Sequence, residues 1–192
     1  MKLPISFIWL LFVSGIVQAE QRLDLTGSST VAPIVMEIAK RFEAENTGVR
    51  VDVQTGGSTR GVVDSRRGMV DIGMISRPLK ANESDLTAHT IARDGISIIV
   101  HDSNAINTLS EAEIIAIFSG KITNWSEVGG ADRTITVVNK ADGRATLELF
   151  LAHFSLKNSQ IKARVVIGDN QQGIKTVSGN RGGDWLCVDR RC

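Results

Sequence analysis

Four short turns rich in glycine, serine and threonine hold the residues with the clearest chemistry in this chain. They are Gly27-Ser28-Ser29-Thr30, Gly56-Gly57-Ser58-Thr59-Arg60-Gly61, Ile75-Ser76-Arg77 and Lys140-Ala141-Asp142-Gly143-Arg144-Ala145-Thr146. Each stands where a strand ends or a helix begins. A helix start carries unpaired backbone N–H groups and an effective charge of roughly +0.5. Small residues let a ligand reach that backbone, and hydroxyls add directed donors. With Arg60, Arg77, Lys140 and Arg144 alongside, the turns predict a cage for a small oxyanion. Taken singly, each Ser or Thr turn also reads as an N-cap worth ~1 kcal/mol to its helix. Several together, with basic residues, favour a site. Charge-assisted hydrogen bonds contribute roughly 1.5–3 kcal/mol each, enough in combination for micromolar binding without a metal.

Rival chemistries lose their motifs. Gly56 and Gly61 have P-loop glycine spacing, but Val62 and Val63 stand where Lys and Ser/Thr are required, and Gly120-Lys121 is followed by Ile122. The second turn lacks the later glycine of a G-x-S-x-G nucleophile elbow. His89, His101 and His153 are scattered without a partner at ligand spacing, so no metal or general base is read from them. Asp71 after Val70 fits two roles, a buried functional carboxylate or a simple turn cap. A net charge of +1 gives no bulk attraction for nucleic acid or an anionic membrane. No Tyr, six Phe and three Trp argue against a sugar- or base-stacking surface. Both cysteines, Cys187 and Cys192, fall at the end of the chain, so the body has neither a disulfide framework nor thiol catalysis. A Cys187–Cys192 bridge is sterically conceivable there.

The elements that must position these turns alternate. Leu23-Asp24-Leu25 reads as a buried strand ending at Thr26-Gly27. A helix follows from Ala32 to Asn46 with Ile34, Val35, Ile38 and Phe42 on one face. Gly48 stops it, and Val49, Val51 and Val53 alternate as a strand. A short helix opens at Gly61-Val62-Val63, and strands are predicted over 69–75 and 91–101. Ser110 with Glu113 forms a capping box ahead of an Ile-rich helix. Ile135 to Val138 is a strand, and Leu147, Phe150, Leu151 and Phe154 make a helical stripe. Val165-Val166-Ile167 is a strand, and Ile174 and Val177 face one side of a last helix. This order predicts an α/β fold with parallel-rich sheets flanked by helices, whose ligand lies at the carboxyl ends of the strands.

Residues 1–19 read as a secretory signal peptide: a basic Met1-Lys2, an apolar stretch from Ile5 to Val13, and small residues at Val17 and Ala19 before cleavage at Glu20. No later stretch approaches the ~18 apolar residues needed to cross a bilayer. The expected product is exported.

Five ordered strings then carry a resemblance. They are Leu25-Thr26-Gly27-Ser28-Ser29-Thr30-Val31-Ala32-Pro33, Gly57-Ser58, Asp71-Ile72-Gly73-Met74-Ile75-Ser76-Arg77, Ile117-Phe118-Ser119-Gly120-Lys121-Ile122-Thr123-Asn124-Trp125, and the stretch from Val137 to Thr146. From about Leu23 to Asn180 the chain resembles the phosphate-binding proteins of phosphate ABC importers. The resemblance implies a two-lobed periplasmic solute-binding fold that closes by hinge motion. It implies a non-enzymatic monomer without cofactor or nucleic acid, with inorganic phosphate and an inner-membrane ABC permease as partners. Residues 20–97 would form the first lobe and 98–180 the second.

By the same resemblance Thr30, the Val31 amide, Ser58, Ser76, Arg77, Lys140, Arg144 and Thr146 bind the anion. Ser29, Thr59, Asp71 and Asp142 support them, Asp142 by steadying Lys140. Arg144 and Ala145 replace a Ser-Gly pair of the family. Arg77 replaces the family's carboxylate that accepts the ligand's proton; without it the site prefers a fully ionised oxyanion, unless Asp71 substitutes. The family continues through a strand reading GAIGYVSIG, which a one-base shift from Gly183 onward can encode here. Residues 181–192 are therefore expected to be an aberrant tail, with the C-terminal part of the fold missing and the second lobe short of a strand. A periplasmic anion sensor or an adhesion module on the same fold is the alternative reading. A phosphate-ester hydrolase lacks a nucleophile–base pair.

Overall fold

Residues 20–180 and the strand 185–191 are described by a computed structural model; of that last strand the description covers the backbone and the Cys187 side chain. The expected signal peptide, residues 181–184 and Cys192 lie outside the described residues. The described chain builds two sheets, each with its own helices.

The first sheet is parallel. It comprises β1 (Gln21–Gly27), β2 (Val49–Thr55) and β3 (Ile72–Met74), in the order β2-β1-β3. Helix α1 (Ala32–Glu45) connects β1 to β2, and α2 (Ser58–Arg66) connects β2 to β3. Pro33 suits the first turn of α1, where its missing N–H costs nothing. The alternating valines of β2 pair with β1 in register, Leu23 with Val51 and Leu25 with Val53. These crossovers put a loop and then a helix start after β1 and after β2.

The second sheet comprises β4 (Gly95–Val100), β5 (Thr136–Lys140), β6 (Val165–Ile167) and β7 (Trp185–Arg191), in the order β4-β7-β5-β6. Its helices are α3 (Glu111–Phe118), α4 (Ala145–His153) and α5 (Asn170–Ser178). The Ser110–Glu113 capping box forms as the spacing predicts: Ser110 Oγ accepts from the Glu113 amide, and the Ser110 amide donates to Glu113 Oε2. One core, under α3 and α4, is built on Ile117, Phe118, Trp125, Ile135, Val137 and Phe150, with the Phe118 and Phe150 rings 4.5 Å apart. Ile99, Val138, Ile167, Val177 and Cys187 fill the other face against α5.

Four expectations change. Helix α2 begins at Ser58, ahead of the expected Gly61 start, because Gly57 at φ +94° turns the chain directly into it. Strand β3 is shorter than 69–75, and β4 starts at Gly95, later than the expected 91, and pairs within the second sheet. On α1 the expected core residues Ile34, Ile38 and Phe42 are exposed, whereas Ala32 and Ala39 are buried. The small residues let the helix backbone approach the sheet closely, and the larger apolar face is turned outward.

The fourth concerns the tail. The expected gap in the second sheet is filled by β7, antiparallel to β4 (Ile99 opposite Cys187) and parallel to β5 (Val138 opposite Cys187). Cys187 and Val138 are fully buried there. That position gives Cys187 a packing role.

Candidate functional site

Parallel pairing lines up the strand ends. Gly27 pairs with Thr55 on one side and with Met74 on the other, so the first three turns leave a single edge of the first sheet. In the second sheet Lys140 pairs with Ile167, and the loops after β5 and β6 leave together. The two edges meet. The Asn170 amide group donates to Thr30 Oγ1 at 3.0 Å, and the Thr59 backbone N–H donates to the Gly143 carbonyl at 3.2 Å.

Two glycines permit close backbone approaches here, Gly27 within the first sheet and Gly57 between the two edges. A Cβ on Gly27 (φ +139°) would lie 2.1 Å from the Met74 carbonyl oxygen, and one on Gly57 (φ +94°) would lie 2.6 Å from that of Gly143. Neither position accepts a side chain without moving backbone.

Between the edges lies a small polar pocket. From the first sheet it is lined by Ser28, Ser29, Thr30, Gly57, Ser58 and Ser76. From the second it is lined by Lys140, Arg144, Ala145, Thr146, Gly168 and Asn170. Each of the four turns therefore contributes.

The hydroxyls are tied to one another more than to helix starts. Ser28 Oγ donates to Ser76 Oγ at 2.8 Å and accepts from the Thr30 amide, while Ser58 Oγ accepts from the Ser76 amide at 3.1 Å. The N-cap positions of α1, α2 and α4 are Val31, Gly57 and Arg144, and none makes a side-chain cap hydrogen bond. By contrast α3, remote from the pocket, has a full capping box. The α1 and α4 starts each forgo ~1 kcal/mol, and the glycine at the α2 start forgoes a few tenths. Three such starts place positive dipole ends beside one pocket, where they favour an anion.

Two cations complete the walls. Lys140 is 2% exposed, and its Nζ donates to the Asp169 carbonyl at 3.1 Å and to Asn170 Oδ1 at 3.0 Å. Arg144 lies between Gly57 and Gly168, and its Nε and Nη1 are buried without a hydrogen-bond partner among the described residues. Unsatisfied buried guanidinium donors are costly, at roughly 1–3 kcal/mol for each group. An anion in the pocket would remove that cost.

Other expected site residues stand elsewhere. Val31, expected to offer its amide, is not among the lining residues and is the N-cap of α1. Thr59 Oγ1 donates to Glu148 Oε1 at 2.9 Å, and Asp142 Oδ1 accepts from Asn158 Nδ2 at 2.8 Å. Asp71 Oδ2 accepts from the Asp24 amide at 2.8 Å, near the start of β3 and away from the pocket edge. Arg60, on the exposed side of α2, pairs with Asp64. Gly168 and Asn170 went unpredicted, although Gly168-Asp169-Asn170 is a fifth strand-to-helix turn of the same kind, following β6.

Arg77 faces away from the pocket. Its side chain is 3% exposed, with Nη1 and Nη2 held bidentately by Glu83 at 2.7 and 2.9 Å and Nε 3.0 Å from Glu148 Oε2. Lys80 Nζ reaches the same Glu148 oxygen at 2.7 Å. Glu148 is on α4, so this cluster fastens the two lobes beside the pocket. Arg77 hydrogen bonds, above all, pull the Glu83 carboxyl down from 4.5 to about 2. Because the folded value lies below the unfolded one, the stabilisation is complete above pH 4.5 and is lost as pH falls through about 2. Glu83→Gln should therefore cost about 3 kcal/mol near neutrality. Its melting temperature should converge on the parent's as the pH approaches 2, which calorimetric melts across that range would check.

Comparison with known proteins agrees with this architecture. The Bacillus subtilis (strain 168) phosphate-binding protein PstS is 34% identical over 142 residues, covering 71% of this chain and 47% of the relative. The chain thus spans about half the length of that curated relative. A solved Clostridium perfringens structure, described as a phosphate ABC transporter substrate-binding protein with bound phosphate, superposes with a TM-score of 0.82 at 30% identity. The match covers 88% of this chain and 70% of that one. An ABC-type phosphate transport receptor from Vibrio cholerae matches at TM-score 0.67 and 30% identity, with the same coverage. The family model for the PBP superfamily domain matches residues 17–185, from β1 through α5 with every turn of the pocket, and the chain belongs to that superfamily.

Proposed function

We propose that this chain is an exported receptor that binds phosphate in the interlobe pocket and delivers it to an ABC permease. The single observation that carries the reading is Arg144, whose buried, unpartnered donors lie beside three uncapped helix starts and the buried Lys140. Such a constellation is stabilised by negative charge supplied from outside the chain. The relatives named for phosphate support the choice of anion.

The chain acts by binding, as a monomer in the periplasm after removal of residues 1–19, without cofactor, nucleic acid or turnover. Thr30, Ser58, Ser76 and Thr146 supply hydroxyls, Lys140 and Arg144 supply charge, and the α1, α2 and α4 starts supply backbone N–H groups. Four or five charge-assisted bonds, less the cost of association, predict a dissociation constant of micromolar order. Titration calorimetry with inorganic phosphate on protein dialysed free of it should give one site per chain. Absence of heat at millimolar phosphate, with the fold intact by circular dichroism, would remove the proposal.

A further inference from the structure

Resting on the receptor reading above, we infer that the pocket takes doubly charged tetrahedral oxyanions as a class, and so admits sulfate alongside phosphate. The reason is what its walls can and cannot do. Its side chains are hydroxyls, one amide, one ammonium and one guanidinium, and no Asp or Glu lines it among the described residues.

Phosphate near neutral pH carries at least one P–O–H. That proton must be donated to something. A carboxylate is an acceptor only, and hydrogen bonds to it are roughly twice as strong as neutral ones. A hydroxyl accepts more weakly. Lysine and arginine cannot accept at all. A carboxylate facing the ligand would favour the protonated anion and repel sulfate, which has no proton to offer. These walls do neither.

The nearby carboxylates are each committed elsewhere. Glu148, two residues beyond Thr146, accepts from Thr59 at Oε1 and faces Arg77 and Lys80 at Oε2. Asp169 Oδ1 caps α5 by accepting from the Gln172 amide, and Asp142 is held by Asn158. Asp71 is bonded to the Asp24 amide near the opposite end of β3. Arg77, which directly follows Ser76, spends its charge on Glu83 and Glu148 outside the pocket. The site is left with cations and neutral polar groups, and a ligand proton finds at best a hydroxyl or the Asn170 amide oxygen, which already accepts from Lys140.

Titration calorimetry on the full chain, with inorganic phosphate and with sulfate at about pH 8 and about pH 6 in chloride buffer, tests this. Sulfate should bind within about tenfold of phosphate at the higher pH, and its affinity should be flat between the two. Phosphate should weaken by about fivefold or more at the lower pH, where it takes up a second proton. Phosphate binding with sulfate more than tenfold weaker would overturn the inference and leave the receptor reading standing. Phosphate affinity that holds or rises at the lower pH would overturn it too, pointing to an acceptor in the wall. Heat from neither anion would remove both.

Discussion

Arg144→Met is expected to weaken phosphate binding by roughly 10- to 150-fold while leaving the melting temperature of the unliganded protein unchanged or raised. The asymmetry follows from what the guanidinium touches. Its Nε and Nη1 are buried without hydrogen-bond partners among the described residues, so the folded, empty protein already bears their desolvation. Methionine fills a similar volume against Gly57 and Gly168 and has no donor to leave unpaired. The anion loses one or two charge-assisted hydrogen bonds, each worth roughly 1.5–3 kcal/mol. Calorimetry with phosphate and a thermal melt in phosphate-free buffer check the two halves separately. Unchanged affinity would place the guanidinium outside the anion's contacts. A large fall in melting temperature would make Arg144 a structural residue instead.

The second large effect is expected at a residue that does not line the pocket. Glu148→Gln keeps the shape of the side chain and an oxygen for the Thr59 hydroxyl, but removes the charge facing Arg77 and Lys80. Arg77 is 3% exposed, so the loss of one of its two carboxylates is poorly compensated by water. Lys80 is half exposed, and its share is screened by salt and small. The contact joins α4 to the first lobe, so the closed arrangement should lose about 1–3 kcal/mol relative to an open one. Binding that requires closure weakens by the same factor, about 5- to 100-fold, with every anion contact still in place. Small-angle scattering should show a larger radius of gyration without phosphate, recovered at saturation. A variant that binds with parental affinity would show that Glu148 fastens nothing that binding depends on.

Much of the arrangement follows from local pattern. The valine alternation of β2, the capping box of α3 and the stripe of α4 each obey a rule confined to a few neighbouring residues, and each stands where the spacing puts it. Alternation of strand and helix then requires parallel pairing, and parallel pairing brings strand ends to one edge. That reasoning was sufficient to collect Ser28, Thr30, Ser58, Ser76, Lys140 and Arg144 around one pocket. It failed where the outcome depends on a distant partner. The apolar residues on α1 satisfy helical periodicity, yet which side meets the sheet is decided by how closely Ala32 and Ala39 let it approach. Strand β7 has no pattern that foretold its place. Its position follows from the gap between β4 and β5, which exists only in three dimensions.

Arg77 marks the same boundary most sharply. Its position after Ser76 is a local fact, and from it a cation in the anion site was a fair expectation. Its direction is set by Glu83, six residues on, and by Glu148, which arrives from the other lobe. A buried guanidinium goes to the carboxylates that satisfy it, and those are found only after the lobes have closed. By itself the sequence determined an α/β chain whose hydroxyl-rich turns gather at strand ends, because turns, caps and strand order are short-range. Only the tertiary structure decided which cations face the pocket and which fasten the lobes. Charge pairing acts through space, between residues that the chain order keeps far apart.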